Sequence, residues 1–143
     1  GREATGGHLA LQRILNSADI DFLCGPNVYY PAHTEVGDPY RSRGLLESIR
    51  LHGKLWLDEM DQQPYLKSVQ DPGYEAGVVN SVAHVRRNTL FTFTKGMGLW
   101  FYDFGAAGQR LNSTAAEFAT GWWDHPVLMK EIAGLKRFLD QAW

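Results

Sequence analysis

Three short apolar stretches, followed by turn residues or by acidic residues, have the composition of buried β-strands. The pattern predicts strands over residues 20–24, 54–59 and 99–104. In the second strand, Leu55, Leu57 and Glu59 alternate onto one face. Trp56 and Asp58 alternate onto the opposite face. We predict that the row with Glu59 faces the core, so that a buried row ends in a carboxylate.

Apolar residues at helical spacing occur before, between and after these strands. They predict five helices, over residues 11–18, 45–49, 78–93, 115–122 and 128–139. In the third helix, Val78, Val82 and Val85 form the predicted buried face. His84 and Asn88 interrupt this pattern as part of the more polar side of the helix.

Glycine, proline and capping residues set the predicted ends of these elements. Gly25 and Pro26 are predicted to end the first strand. Gly53 and Gly96 follow the second and third helices, and glycine is common directly after a helix end. Asp124 is predicted to cap the last helix at its N-terminus.

Strands and helices alternate along the chain, which predicts an α/β fold with a parallel sheet. No linker or repeat divides the 143 residues, so residues 1–143 are expected to form a single domain. The expected architecture has about three parallel strands that alternate with helices in right-handed βαβ units.

Composition excludes several classes of function. The net charge is −2 and the basic residues are scattered, so neither a nucleic-acid groove nor a membrane-surface patch is indicated. No apolar run approaches the ~20 residues that cross a bilayer. Cys24 is the only cysteine, which excludes an internal disulfide and a cysteine-based zinc site, and its apolar strand predicts a buried structural thiol. The composition indicates no cellular compartment.

Known catalytic motifs are absent from the sequence. The five histidines lack metal-binding spacing, so no metal site is predicted, and each histidine is expected at the surface or at a helix end. No GxSxG, GxGxxG or Walker motif follows a strand, so no cofactor is predicted. Aromatic residues make up 13% of the chain, which suits a packed core and also suits the faces of sugar rings.

Polar and acidic side chains collect where each predicted strand ends. These residues are Asn27 and Tyr29, then Asp58, Glu59 and Asp61, then Asp103. The carboxyl ends of parallel strands meet at one edge of a sheet, where α/β proteins bind their ligands. A carboxylate held there can act as a nucleophile, a base or a metal ligand.

The segment from Ser48 to Asp61 resembles the nucleophile strand of bacterial β-galactosidase-like glycoside hydrolases of the family 42 type. The stretch 20–30 resembles the sixth strand of these (β/α)8 barrels with its loop, and 98–104 resembles the eighth. The resemblance implies that the chain is the C-terminal half of a TIM barrel. It implies a retaining glycosidase in which Glu59 is the catalytic nucleophile, and Asn27, Tyr29, Asp61, Trp100 and Asp103 contact the sugar.

The acid/base glutamate of such barrels comes from the fourth strand, which would lie before Gly1. The chain alone is therefore expected to be poorly active. The relatives carry an arginine soon after the acidic strand end, whereas this chain has Gln62-Gln63-Pro64. This departure favours the alternative interpretation, a non-catalytic half barrel that binds carbohydrate or a protein partner. Because a half barrel leaves its inner face open, we expect a homodimer or pairing with an N-terminal half.

Overall fold

The computed structural model describes residues 8–28, 36–61, 64–65, 72–103 and 123–142. A 3-10 turn over His8–Ala10 leads into the first helix. The helices are α1 (Leu11–Leu15), α2 (Leu46–Leu51), α3 (Tyr74–Thr94) and α4 (Pro126–Ala142). The strands are β1 (Phe22–Pro26), β2 (Leu55–Met60) and β3 (Gly98–Phe101). The predicted helix over 115–122 lies outside the described residues.

The three strands form one parallel sheet in the order β1-β2-β3. In this register Glu59 lies between Pro26 of β1 and Trp100 of β3. The prediction of an α/β fold with three parallel strands is therefore confirmed. None of the helices in the described part of the chain is long and apolar enough to cross a membrane.

Strand β1 continues through the glycine and proline that were predicted to end it. A glycine fits at position 25 of the strand because a Cβ there would lie 3.0 Å from the Trp56 ring. Pro26 is tolerated because β1 is an edge strand of this three-stranded sheet. The predicted strand end was wrong because parallel pairing with β2 continues through Gly25 and Pro26, which lie opposite Asp58 and Glu59.

The core lies on one side of the sheet, where helices cover the even-numbered row of β2. Trp56 packs with residues of α1 and α2, whereas Met60 packs with Val85 of α3 and Leu128 of α4. The prediction that the row with Glu59 faces the core is wrong. Leu55 is 40% exposed, while the opposite row, which includes Trp56 and Met60, is buried. The face that carries Glu59 is accordingly the more open one, and we call it the open face.

Helix α3 buries polar residues beside the face predicted for it, of which Val85 is fully buried and Val82 packs against the core cluster of Met60. Its buried residues are Gly77, Ser81, His84, Val85, Asn88, Thr89 and Thr92. The prediction of a surface position for His84 is wrong, and the polar side of the helix is buried at His84 and Asn88, whose polar atoms find partners inside. The Asn88 amide donates to the Met60 sulfur at 3.1 Å and to His84 Nε2 at 2.9 Å.

The predicted helix ends are confirmed at both glycines. Gly53 and Gly96 follow α2 and α3 with φ angles of 69° and 68°, a conformation that other residues adopt at a cost. Helix α4 begins at Pro126, so its cap is displaced by one residue from the prediction. His125 precedes the helix, and its Nδ1 accepts a hydrogen bond from the Val127 amide at 3.3 Å. Asp124 lies one residue before that position.

Candidate functional site

The carboxyl ends of the strands meet at one edge, as parallel pairing requires. The Asn27 amide donates to the Glu59 carbonyl at 3.4 Å, and the Tyr102 amide donates to the Met60 carbonyl at 3.0 Å. These bonds hold the residues after β1 and β3 against the end of β2. The sequence prediction that polar residues from all three units share one edge is consistent with this arrangement.

Glu59 lies on the open face of the sheet and is partly exposed. Partial burial and the negative charge of Asp61 raise the pKa of the Glu59 carboxyl. Asp61 is itself partly buried, and its Oδ1 is buried without a hydrogen-bond partner. The charge of Asp61 therefore acts on Glu59, and the two carboxyl groups form the acidic part of the site.

Trp100 supplies an aromatic surface next to Glu59. It is the register partner of Glu59, and its side chain is 39% exposed. The indole N–H donates to the Cys24 sulfur at 3.2 Å, so the ring extends across β2 toward β1. Tyr102 packs edge-on against it with ring centroids 5.5 Å apart. A carboxylate beside an exposed indole is an arrangement that suits a polar ring with an apolar face.

The prediction of a buried Cys24 is wrong, because the thiol is exposed on the open face. The apolar composition of β1 predicted a buried thiol, but the helices in the described part of the chain pack on the side of Trp56, and Cys24 lies on the opposite face. Cys24 is level with Leu57 of β2 and Gly98 of β3 in the register. On the open face, the row that contains Cys24 is the neighbour of the row that contains Glu59, on the side of the amino ends of the strands.

Asp58 is the most perturbed acid of the site, and the sequence did not distinguish it from its neighbours. Its side chain is 1% exposed on the helix-covered side of the sheet. Its Oδ1 accepts hydrogen bonds from Trp56 Nε1 at 2.9 Å and from Ser42 Oγ at 3.1 Å. Burial, followed by the charges of Asp61 and Glu59, raises the pKa of Asp58 to about 7. The alternation that places Asp58 on the same face as Trp56 was the sequence signal that could have predicted its burial.

The other predicted sugar-binding residues lie in different surroundings. Asn27 is 1% exposed, so its side chain is not available to a molecule in solvent in this conformation. It forms an isolated antiparallel bridge with Ser42. Asp103 is exposed after the end of β3. Tyr29 lies outside the described residues.

A second buried polar cluster supports the segment that follows β2. The Tyr65 amide donates to Ser81 Oγ at 2.9 Å, and the Tyr65 ring lies 5.7 Å from the His84 ring. Burial and the charge of Arg87 lower the pKa of His84 to about 4. Because an amide nitrogen only donates, the bond from Asn88 leaves the proton of neutral His84 on Nδ1, which has no partner. The prediction that every histidine is superficial is wrong for His84.

A separate groove of about 440 Å³ lies between α3, α4 and the start of β3. Its lining includes Thr89, Phe93, Leu99 and Leu135, and none of the carboxyl groups at the edge of the sheet. Within the described ranges, no group of three or more His, Cys, Asp or Glu side chains could hold a metal ion. Comparisons of the chain with protein-family models, with curated proteins and with solved structures return no match.

Proposed function

We propose that this chain binds carbohydrate on the open face of its sheet, as the C-terminal half of a glycoside hydrolase-like (β/α)8 barrel. The observation that supports the proposal best is the pairing of Glu59 with Trp100 in the parallel register at the carboxyl end of the sheet. Parallel α/β folds place their ligand sites at this end. The resemblance of the segment around Glu59 to a nucleophile strand supports the same assignment.

The proposed binding mode uses the two kinds of surface that a sugar offers. The C–H face of a pyranose ring stacks on the exposed part of the Trp100 indole, while its hydroxyl groups donate to the Glu59 and Asp61 carboxylates. Tyr102, which packs against Trp100, keeps the indole in place.

Catalysis by a retaining mechanism requires a second carboxyl group, about 5–5.5 Å from the nucleophile, that protonates the leaving group. Glu59 takes the nucleophile role, and the proton donor is assigned to the N-terminal half of the proposed barrel. The isolated chain is then competent only toward glycosides whose leaving group departs without protonation. Its turnover of ordinary glycosides is expected to be poor.

A second candidate function is non-catalytic binding of a protein partner on the same face. The observation that favours it is the apolar area beyond the site, since Phe22 is 52% exposed and Leu55 is 40% exposed. Such side chains at neighbouring positions of one sheet face are frequent at interfaces. The partner is then a second copy of the chain or an N-terminal half barrel, either of which would cover the face.

A mechanism-based label separates the catalytic proposal from simple binding. A 2-deoxy-2-fluoro glycoside with a dinitrophenolate leaving group needs no acid, so the nucleophile alone forms a covalent glycosyl-enzyme. We expect a single adduct on Glu59 by peptide mass spectrometry, absent from Glu59→Gln. Glu75→Gln, at an exposed position in the first turn of α3, is the matched control and should still be labelled.

Binding without chemistry has a different outcome. If no adduct forms but simple sugars change the tryptophan fluorescence of the wild type and not of Trp100→Ala, the carbohydrate-binding proposal holds without catalysis. If no sugar in a panel of galactose, glucose, xylose and arabinose binds at millimolar concentration, carbohydrate recognition by the isolated chain is refuted. Light scattering after size exclusion then tests whether the partner is a second copy of the chain. A monomer at high protein concentration would contradict that form of the partner proposal.

A further inference from the structure

The Asp58 carboxyl group is held asymmetrically. Both hydrogen bonds, from Trp56 Nε1 and from Ser42 Oγ, reach Oδ1. The second oxygen, Oδ2, is buried and has no hydrogen-bond partner. This pattern fits a neutral carboxylic acid, whose carbonyl oxygen accepts both bonds. An ionised carboxylate would leave half of its charge without a donor in a buried place.

Ser42 connects this carboxyl group to a segment outside the sheet, residues 36–44, which we call the anchor segment. Ser42 forms a bridge with Asn27, and the neighbouring Val28 amide donates to the Arg41 carbonyl at 3.2 Å. The Ser42 hydroxyl also accepts a bond from the Gly44 amide at 3.2 Å. The contact of Ser42 with Asp58 therefore joins the anchor segment and the end of β1 to β2.

We propose that Asp58 is a proton-controlled anchor for this segment. With its proton in place, the carboxyl group holds Ser42 against β2. Loss of the proton favours a state in which residues 36–44 lift from the strand and water reaches the carboxylate. The device is built into the fold and does not depend on the proposed binding of carbohydrate.

The charges that act on Asp58 oppose its ionisation. Glu59 on its own strand and Asp61 directly after that strand are both negative. The flanking strands place uncharged Gly25 and Leu99 beside it in the register.

The cationic groups of the surrounding elements are directed to other acceptors. In the anchor segment, exposed Arg41 is the neighbour of Ser42, and the Arg43 guanidinium donates to the Asn27 carbonyl at 3.1 Å. From α3, the Arg87 guanidinium donates to the Asp38 carbonyl and to Asn88 Oδ1, while His84 is neutral near pH 7. Burial and like charge therefore dominate the titration of Asp58.

The expected effect follows from linkage. The pKa of Asp58 is about 7 in the closed state, against an ordinary value of 3.8 once water reaches the group. The open state gains population about tenfold per pH unit between these two values, and the gain levels off above the higher one. Opening is therefore most sensitive to pH on the acidic side of neutrality.

Amide hydrogen exchange tests the proposal at two backbone amides whose hydrogen bonds exist only while the anchor segment is packed on the strands. The reporters are the Val28 amide, bonded to the Arg41 carbonyl, and the Gly44 amide, bonded to Ser42 Oγ. After correction for intrinsic exchange, their protection should fall between pH 5 and pH 7 in the wild type. The Gly96 amide, bonded to the Phe93 carbonyl away from the site, should keep its protection. Protection of both reporters that does not change with pH would overturn the proposal.

Two variants and one spectroscopic signal complete the test. Asp58→Asn keeps an acceptor oxygen but cannot ionise, so the pH dependence of both reporters should disappear. Ser42→Ala removes the hydroxyl donor, so protection should be lower at every pH. In the wild type, the Trp56 indole proton resonance should titrate with the same midpoint as the exchange, because that N–H contacts Asp58. An indole signal that does not titrate, or an Asp58→Asn variant that retains the pH dependence, would refute the role of Asp58 even if the other variant fails to fold.

Discussion

The indole N–H of Trp100 donates a hydrogen bond to the sulfur of Cys24, 3.2 Å away on the opposite edge strand. The bond spans the middle strand, because β2 lies between β1 and β3. It places an aromatic ring and an exposed thiol on one continuous surface next to Glu59. A molecule that covers Trp100 should therefore also shield Cys24.

Alkylation of Cys24 reports on occupation of the open face. We expect a saturating sugar to slow the reaction of iodoacetamide with Cys24 several-fold, measured by intact mass, because the ring over Trp100 restricts access to the sulfur. In Trp100→Ala the sugar should have no effect. An unchanged rate in the wild type, at a concentration that saturates the fluorescence change, would place the sugar elsewhere.

Asp58→Asn should change the pH dependence of stability. The pKa of Asp58 is raised from 3.8 to about 7, so the folded state holds a proton that the unfolded chain has lost between these values. The contribution of Asp58 is fully present below the lower value and is lost as the pH rises through the higher one, up to about 4 kcal/mol. We expect urea unfolding to show that the variant is more stable than the wild type at pH 8.

The comparison at low pH serves as the control for this prediction. At pH 4 the folded wild-type carboxyl is neutral and the unfolded one is only partly ionised, so nearly all of the contribution of Asp58 remains. The amide of the variant lacks an acceptor at the position of Oδ2. The variant should then be equally stable or less stable, by about 1–3 kcal/mol. A difference between the two proteins that is the same at pH 4 and pH 8 would show that folding does not raise the pKa of Asp58.

His84 should make the free energy of unfolding depend on pH in the opposite direction to Asp58. Its pKa is lowered from 6.5 to about 4, so the unfolded chain binds a proton that the folded state excludes between these values. The stability contributed by neutral His84 is present above the higher value and falls by about 3 kcal/mol as the pH drops through the lower one. His84→Gln keeps an acceptor for the Asn88 amide and should remove this loss, measured as urea midpoints at pH 4.5 and pH 7.

The opposing slopes of Asp58 and His84 explain why the wild type alone is a poor test of either group. Between pH 4 and pH 6.5 one contribution falls while the other rises, so the two nearly cancel. Each variant exposes the slope of the remaining group. A double variant should lose both slopes, and a residual slope in it would have to come from other groups.

The sequence predicted the strands well because apolar composition and alternation are local properties. It could not assign the covered face, since both rows of β2 contain apolar residues and an acid. That assignment depends on the side of the sheet where the helices pack, as the contacts of Trp56 with α1 and α2 show. The placement of Glu59 at the carboxyl end needed only the strand direction and was predictable.

The polar interior of α3 was not predictable from spacing, because its stability depends on partners that are distant in sequence. Asn88 bonds to Met60 across 28 positions, and Ser81 accepts from the Tyr65 amide. A hydrophobicity pattern treats His84 and Asn88 as solvent-facing, whereas the fold pairs them with each other. For the same reason the burial of Asp58 was not predicted, because its partner Ser42 lies in a loop 16 positions away.

The packing of the anchor segment on Trp56 gives a final prediction for stability. A Cβ at Gly44 would lie 2.8 Å from Cδ2 and Cε3 of the Trp56 ring, which is buried in the core cluster with Leu46 and Ile49. Because that ring is fixed by its neighbours and by its bond to Asp58, it cannot move aside cheaply. Gly44→Ala should destabilise the protein by about 1–3 kcal/mol through overpacking.

Gly134→Ala is the matched control, since the same atom is added in an open place. A Cβ at Gly134, in the middle of α4, meets only the Arg137 Nη2 atom at 3.9 Å. Alanine is the better helix former, so this variant should be more stable by about 0.5–1 kcal/mol. Thermal unfolding of both variants thus tests whether the same substitution, glycine to alanine, lowers stability at position 44 and raises it at position 134. A Gly44→Ala protein as stable as the wild type would show that the anchor segment does not pack on Trp56, and the role proposed for Asp58 would lose its structural basis.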